Sequence, residues 1–278
     1  MKRLPFGVSR LDRMIGGGAP AGSVVLLAGE AGAGAREFCY TATAMNGLAG
    51  ADPDQFERYY GDLEAEAVLP DAVHYVSFTD ERGAIVDEMR YVLDDDLVDA
   101  GMADVSVVDL GEAYFQVTPV PTAWYADRTS DITDLGDRTD RRDVLETFGD
   151  YLTEHAADNL VVIDSVSDLV AAADEQFGWA DLTVLLKGLK RAAHRWGGVI
   201  LLVVNTDVLE PTEYGRLKEA TDGTLSFEWE SGGSERARTL VVEQFRGVLS
   251  RLEDEDIVRF ETEIRDNGFD ISNVRKIR

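Results

Sequence analysis

The stretch LLAGEAGAGAREF, residues 26–38, decides how this chain is read. An apolar run enters a turn of alternating glycine and alanine, then leaves it into a helical pattern. Strand, glycine-rich turn and helix N-terminus, in that order, form the layout of a phosphate-binding P-loop, where backbone N–H groups and the helix dipole face an anion. The spacing G-x-x-x-x-G-K-[ST] holds at Gly29 and Gly34 but fails at its two chemical positions. Ala35 stands where the lysine belongs, and Arg36 where the serine or threonine belongs. The nucleotide-binding candidates are therefore Gly29, Glu30, Ala31, Gly32, Ala33, Gly34, Ala35 and Arg36.

Outward from this turn, apolar runs at residues 23–28, 73–78, 160–164 and 199–204, with a fifth at 105–109, read as buried parallel strands rich in β-branched residues. Helical patterns at 36–48, 81–93, 142–155 and 180–195 alternate with them. Strand alternating with helix predicts an α/β fold with a mainly parallel central sheet flanked by helices. After Thr221 the texture changes to period-2 segments, GTLSFEWES, ARTLVVEQFRG and DIVRFETEIRDNGFDIS, read as an antiparallel C-terminal extension. No interdomain linker or repeat is visible, so residues 1–278 are expected to form one domain. Residues 49–72 and 111–142 read as long loops, each a partner surface or a solvated excursion.

Composition narrows the function. The chain carries 27 Lys+Arg against 53 Asp+Glu, a net charge of −26, and only five lysines. The acid is spread along the chain, which points to a protein of a high-salt cytoplasm, where screening relieves self-repulsion. No basic stripe is visible, which argues against nucleic acid as a partner. The single cysteine, Cys39, excludes an internal disulfide and reads as a small buried residue. His74, His155 and His194 lack metal-ligand spacing and read as structural. No segment approaches the roughly 20 apolar residues of a membrane span, and the N-terminus lacks a signal peptide's apolar region. A cytoplasmic location is expected.

The line GVSRLDRMIGGGAPAGSVVLLAGEAGAG, residues 7–34, resembles the opening of the RecA/RadA superfamily, most closely KaiC-type ATPase domains. Gly7, Leu11, Asp12, Gly16, Gly17, Gly18, Pro20, Gly22 and Ser23 fit that pattern in order. VHYVSFTDE resembles the family's strand ending in F-E-E, and NLVVIDSVSDL its Walker B strand, with Asp164 and Ser165 as the D-S pair. LVVEQFRG stands where the family has a K-x-R-G strand end, and FETEIRDNGFDI resembles its terminal hairpin. With the acidic composition, the resemblance extends to a haloarchaeal, halobacterial-transducer-like branch, a label that carries no biochemical content.

The resemblance implies a RecA-like domain and sets roles for single positions. ATP or ADP is the implied ligand, held by backbone N–H groups of the turn. Ala35 removes an ammonium whose charge-assisted contact is worth roughly 1.5–3 kcal/mol. Arg36 has donors but no acceptor, so it cannot ligate Mg²⁺ as a hydroxyl does; Asp164 is the metal ligand only if magnesium binds. At the catalytic-base position Asp80 follows Thr79 where the family has paired glutamates, and Glu81 is the next candidate. At the subunit-interface position Gln244 replaces a lysine while Arg246 remains, and the family's habit is a homo-oligomeric ring.

These departures together predict a non-catalytic regulatory or protein-interaction module with weak, metal-independent nucleotide binding. The alternative is a working ATPase in which Arg36 does the work of the missing lysine. RadA-type DNA recombination lacks the basic surface it needs. For Arg36 itself two placements compete: a salt bridge to Asp164 in place of the metal, or a solvated outward position with Asp164 turned to Ser165 or water.

Overall fold

The computed structural model describes residues 2–116, 118–126, 144–172, 178–230, 237–254 and 257–276. The chain opens with β1 (Arg3–Leu4), α1 (Ser9–Ile15) and β2 (Ala19–Pro20), then β3 (Val24–Gly29) leads through the glycine turn into α2 (Ala35–Ala51). There follow α3 (Pro53–Tyr60), β4 (Val73–Ser77), α4 (Arg82–Met89), α5 (Asp95–Gly101), β5 (Ser106–Asp109) and α6 (Gly111–Phe115). The second half comprises α7 (Val144–His155), β6 (Leu160–Asp164), α8 (Val166–Ala172), α9 (Trp179–Trp196), β7 (Val199–Asn205) and α10 (Pro211–Ala220). It ends with β8 (Gly223–Glu230), β9 (Ala237–Phe245), α11 (Leu249–Asp254), β10 (Ile257–Arg265) and β11 (Gly268–Lys276).

Nine strands form one sheet in the order β11-β10-β9-β8-β3-β7-β6-β4-β5. The unbroken apolar runs have a direct physical cause, because alternate residues of each central strand enter different cores. Val25 and Leu27 of β3, with Val199, Leu201 and Val203 of β7, join the core built on α2. Val24, Leu26 and Ala28, with Ile200, Leu202 and Val204, join the core under α7 and α9.

The sheet is parallel from β5 to β8 and antiparallel from β8 to β11. The expected antiparallel extension after Thr221 is present as β8–β11, and β8 joins it to the core by running parallel to β3, pairing Val25 with Gly223 and Gly29 with Phe227. Residues 49–72 are not a plain loop. They contain the end of α2 and the whole of α3, whose Asp52 carboxylate accepts from the Gln55 N–H at 3.0 Å with Pro53 opening the first turn. Within 111–142 the described part holds α6 and a 3-10 turn at Thr122–Trp124; the polar run 127–143 lies outside the described residues. Helix α4 ends sooner than its apolar pattern predicts, since Leu93 is drawn into a bridge with Asn267 at the tip of the β10–β11 hairpin.

The glycine-rich opening proves to be scaffold. Asp12, with 0% exposure, accepts from the N–H groups of Phe6 and Gly7 and from the Tyr60 hydroxyl, fixing β1 and α1 against α3. Burial pushes its carboxyl up to about 7 despite those three donors. Gly18 shows why the triple glycine is needed: at φ +106° a Cβ there would lie 2.0 Å from the Leu4 carbonyl oxygen.

Candidate nucleotide cleft

The candidate residues gather at the C-terminal ends of the parallel strands, where open α/β sheets place their ligand crevices. Phe38, in the first turns of α2, meets the rings of Phe6, Phe227 and Phe269 at centroid distances of 5.4 Å each. That aromatic floor seats the helix N-terminus at the end of β3. Gly34 caps it at φ +118°, where a Cβ would come within 3.0 Å of the Phe269 ring. The first N–H groups of an α-helix have no partner inside it. Among the described residues, those of Gly34, Ala35, Arg36 and Glu37 meet no acceptor.

A cavity of 730 Å³ opens in front of them. Gly29, Glu30, Ala31, Gly32, Gly34, Ala35 and Arg36 line it, together with Asp164. Ala33 instead turns into the core with 0% exposure. Asp80 lies beyond the end of β4 and does not line the cavity, though its charge reaches Asp164. Its N–H is held by the Ser77 hydroxyl at 2.9 Å. Glu81 is exposed at the N-cap of α4 and makes no side-chain cap. Gln244 and Arg246 sit at the opposite, N-terminal ends of the parallel strands, because Phe245 pairs with Gly223 at the start of β8.

Arg36 and Asp164 meet. Nη2 donates to Oδ1 at 3.4 Å and Nε stands 3.3 Å from Oδ2, a side-on fork, with Asp164 5% exposed and the Arg36 side chain 46% exposed. The solvated placement of Arg36 is thus set aside. Tyr75, fully buried on β4, donates its hydroxyl to Asp164 Oδ2 at 2.7 Å. On the other flank Arg36 Nη1 lies 3.7 Å from Glu88, which also accepts from the Tyr40 hydroxyl.

The electrostatics follow from burial. Burial raises the Asp164 pKa, Arg36 and the Tyr75 hydroxyl pull it back, and Asp168 and Asp80 push it up again. Burial acts to lower Arg36, but the Asp164 charge, ahead of Tyr40, Tyr75 and Glu88, carries it above its ordinary value. Burial, then Asp164, holds the neighbouring Cys39 thiol well above the range in which a thiolate forms.

The turn is also clasped from β8, from β9 and from the loop after β7. Asp207 accepts from the Ala31 N–H at 3.0 Å. The Trp229 indole donates to the Ala31 carbonyl at 3.0 Å and Arg238 Nε to the Gly32 carbonyl at 3.0 Å, with Arg238 stacked over the Trp229 ring. Glu30 returns the contact by accepting from the Trp229 N–H at 3.2 Å. Sequence reasoning missed Tyr40, Tyr75, Glu88, Asp207, Trp229 and Arg238. Only Tyr40 carried a signal, lying one helical turn after Arg36.

No family model matches the chain, and no curated protein does. Among solved structures it is similar to a KaiC-like protein from the hyperthermophilic archaeon Pyrococcus horikoshii, with a TM-score of 0.63 at 17% identity, covering 98% of this chain and 99% of that one. The likeness is one of fold, and the fold is RecA-like. No helix among the described residues is long and apolar enough to cross a membrane.

Proposed function

We propose that this chain is a P-loop protein whose cleft binds ATP or ADP without a metal and serves regulation or protein interaction, as a pseudo-ATPase. The observation that carries this reading is the Arg36 guanidinium lying 3.3 Å from Asp164. In a P-loop ATPase, the hydroxyl at position 36 and the Walker B carboxylate would share Mg²⁺. Here position 36 offers no acceptor, and both Asp164 oxygens face donors, Arg36 on one side and Tyr75 on the other. Magnesium does not fit these residues. The cation that balances the buried carboxylate is the protein's own.

Nucleotide fits better. The N–H groups of Gly34, Ala35, Arg36 and Glu37 would hold phosphate oxygens at the start of α2. Affinity would be modest, because the lysine ammonium is missing and Glu88 and Asp164 already engage Arg36. The alternative, a working ATPase with Arg36 in the lysine's role, requires Arg36 to leave both carboxylates. In this reading the protein works in a high-salt cytoplasm in signalling, with a protein partner or a second copy of itself, and Gln244 and Arg246 face the neighbour in a ring.

Calorimetric titration with ATP and ADP, in magnesium and in EDTA at molar KCl, tests the proposal. Equal affinity in both buffers, without phosphate release, is expected. Sustained release that needs magnesium and disappears in Asp164→Asn would overturn it in favour of the ATPase.

A further inference from the structure

We propose a ligand site between α7 and α9, on the face of the sheet away from α2, built to take an amphiphilic carboxylate: an apolar chain with one anionic head. A cavity of 350 Å³ opens there, within the roughly 300–1,000 Å³ typical of small-molecule sites. Its floor is the sheet itself, at Ile163 of β6 and Leu202 of β7, and Leu152 of α7 and Leu189 of α9 wall it. All four are buried, yet the two helices part above them. Gly149 of α7 and Gly188 of α9 line the opening, and both are exposed. A Cβ placed at either would meet nothing within 4 Å. Glycine weakens a helix interior, and no neighbouring atom requires it at these two positions. What the pair preserves is the opening.

One end of this apolar cleft is polar. Arg195 and Trp196, in the last turn of α9, line it, and no other charged side chain does. Among the described residues neither the Arg195 guanidinium nor the Trp196 indole N–H has a hydrogen-bond or ion-pair partner. The chain carries 53 Asp+Glu, yet none of them stands on this guanidinium, so its fork is left for a carboxylate from outside. The lining follows α9 from Leu185 to Trp196, about 16 Å at the helical rise. Its far end is apolar, closed by Val166 and Leu169 of α8 just after β6, whereas Arg195 and Trp196 lie just before β7 begins. A chain laid along this length puts its head on the guanidinium and its tail against α8. A phosphate or a sugar would leave the apolar length empty, and a plain hydrocarbon would leave the fork unused.

The site is independent of the nucleotide reading, because none of its residues lines the P-loop cleft. Calorimetry uses sodium decanoate below its micelle concentration, at the lowest KCl that keeps the protein folded. It compares the wild type with Gly188→Leu, which fills the opening, and Arg195→Gln, which removes the head contact. Decanol and acetate probe chain and head separately. A decanoate bearing a terminal diazirine, photolysed and mapped by mass spectrometry, separates this cavity from the P-loop N–H groups. Circular dichroism and urea midpoints confirm that each variant folds. Decanoate binding should fall about tenfold or more in each variant, and decanol should bind the wild type about fivefold more weakly than decanoate. Acetate should not bind, and the label should lie in α7, α8 or α9. No decanoate binding by the wild type would overturn the proposal, as would unchanged binding in either variant. Decanol or acetate binding as tightly as decanoate would overturn it too, and so would a label confined to α2. A wild-type dimer that Gly188→Leu converts to a monomer would assign the cleft to a second copy instead.

Discussion

Arg36 Nε lies 3.3 Å from Asp164 Oδ2, so the second residue of α2 and the last residue of β6 are locked across the mouth of the cleft. Breaking a fully buried pair from one side costs about 3–5 kcal/mol. Arg36 is 46% exposed, so solvent screens part of that, and Arg36→Ala should destabilise by about 2 kcal/mol. Urea unfolding measures the loss. In Arg36→Ala/Asp164→Asn much of it should return, since no uncompensated carboxylate remains. A double variant no more stable than Arg36→Ala would show that the pair is not the source.

Asp12 makes stability depend on pH. Its folded pKa of about 7 lies above the unfolded value of 3.8, so the folded state holds the proton more tightly between them. Stability from this group is complete below about pH 4 and is lost as pH rises toward about 7, where the loss amounts to roughly 4 kcal/mol. Asp12→Asn should flatten that decline in urea titrations at constant salt, while lowering stability overall, because an amide nitrogen would face the Gly7 N–H or the Tyr60 hydroxyl. A decline left unchanged in the variant would assign it to other groups.

His74 acts with the opposite sign. It is buried, with Nδ1 2.6 Å from the Tyr151 hydroxyl and Nε2 3.2 Å from Asn159 Nδ2. Asn159 Oδ1 is committed to the Ala72 N–H and Nδ2 also donates to the His155 carbonyl, so Nε2 accepts and the ring is neutral. Burial, then His155, lowers the His74 pKa below 6.5. The unfolded state therefore takes up the proton first, and stability is lost as pH falls below about 6.5. His74→Gln should remove that acid-side loss and leave the Asp12 slope in place. Persistence of the acid loss would assign it to other groups.

The two cores explain what the sequence disclosed. Strands β3, β4, β6 and β7 announced themselves because both their faces are covered, so the runs are mostly apolar and their few polar residues, such as His74 and Ser77 of β4, are buried. Strand β8 hid its direction, since GTLSFEWE is buried at its first five residues and only partly covered thereafter, giving the texture of a hairpin strand. Helix α3 was obscured by acidic residues, although Asp52 and Pro53 signalled its start. The P-loop was legible as contiguous sequence. Its partners Tyr40, Tyr75 and Glu88 come from three separate helices and strands, and no linear pattern joins them.

The clasp on the turn gives the last prediction. Asp207 holds the Ala31 N–H at 3.0 Å and places a carboxylate beside the donors that would receive phosphate. It can act in two ways that salt distinguishes. If its charge repels the incoming phosphates, Asp207→Asn tightens ATP binding, and the gain shrinks as KCl screens the repulsion. If it preorganises the turn, the same substitution weakens binding equally at all salt concentrations. The exposed position of Asp207 favours the first. One contact of this kind is worth about 1 kcal/mol near a surface, so the expected tightening is about fivefold in the lowest KCl that keeps the protein folded and negligible at molar KCl. Trp229, whose indole holds the Ala31 carbonyl, offers a fluorescence readout of the same turn, with Trp229→Phe as the blank. Weaker binding of ATP by Asp207→Asn at every salt concentration would make the clasp a support of the turn.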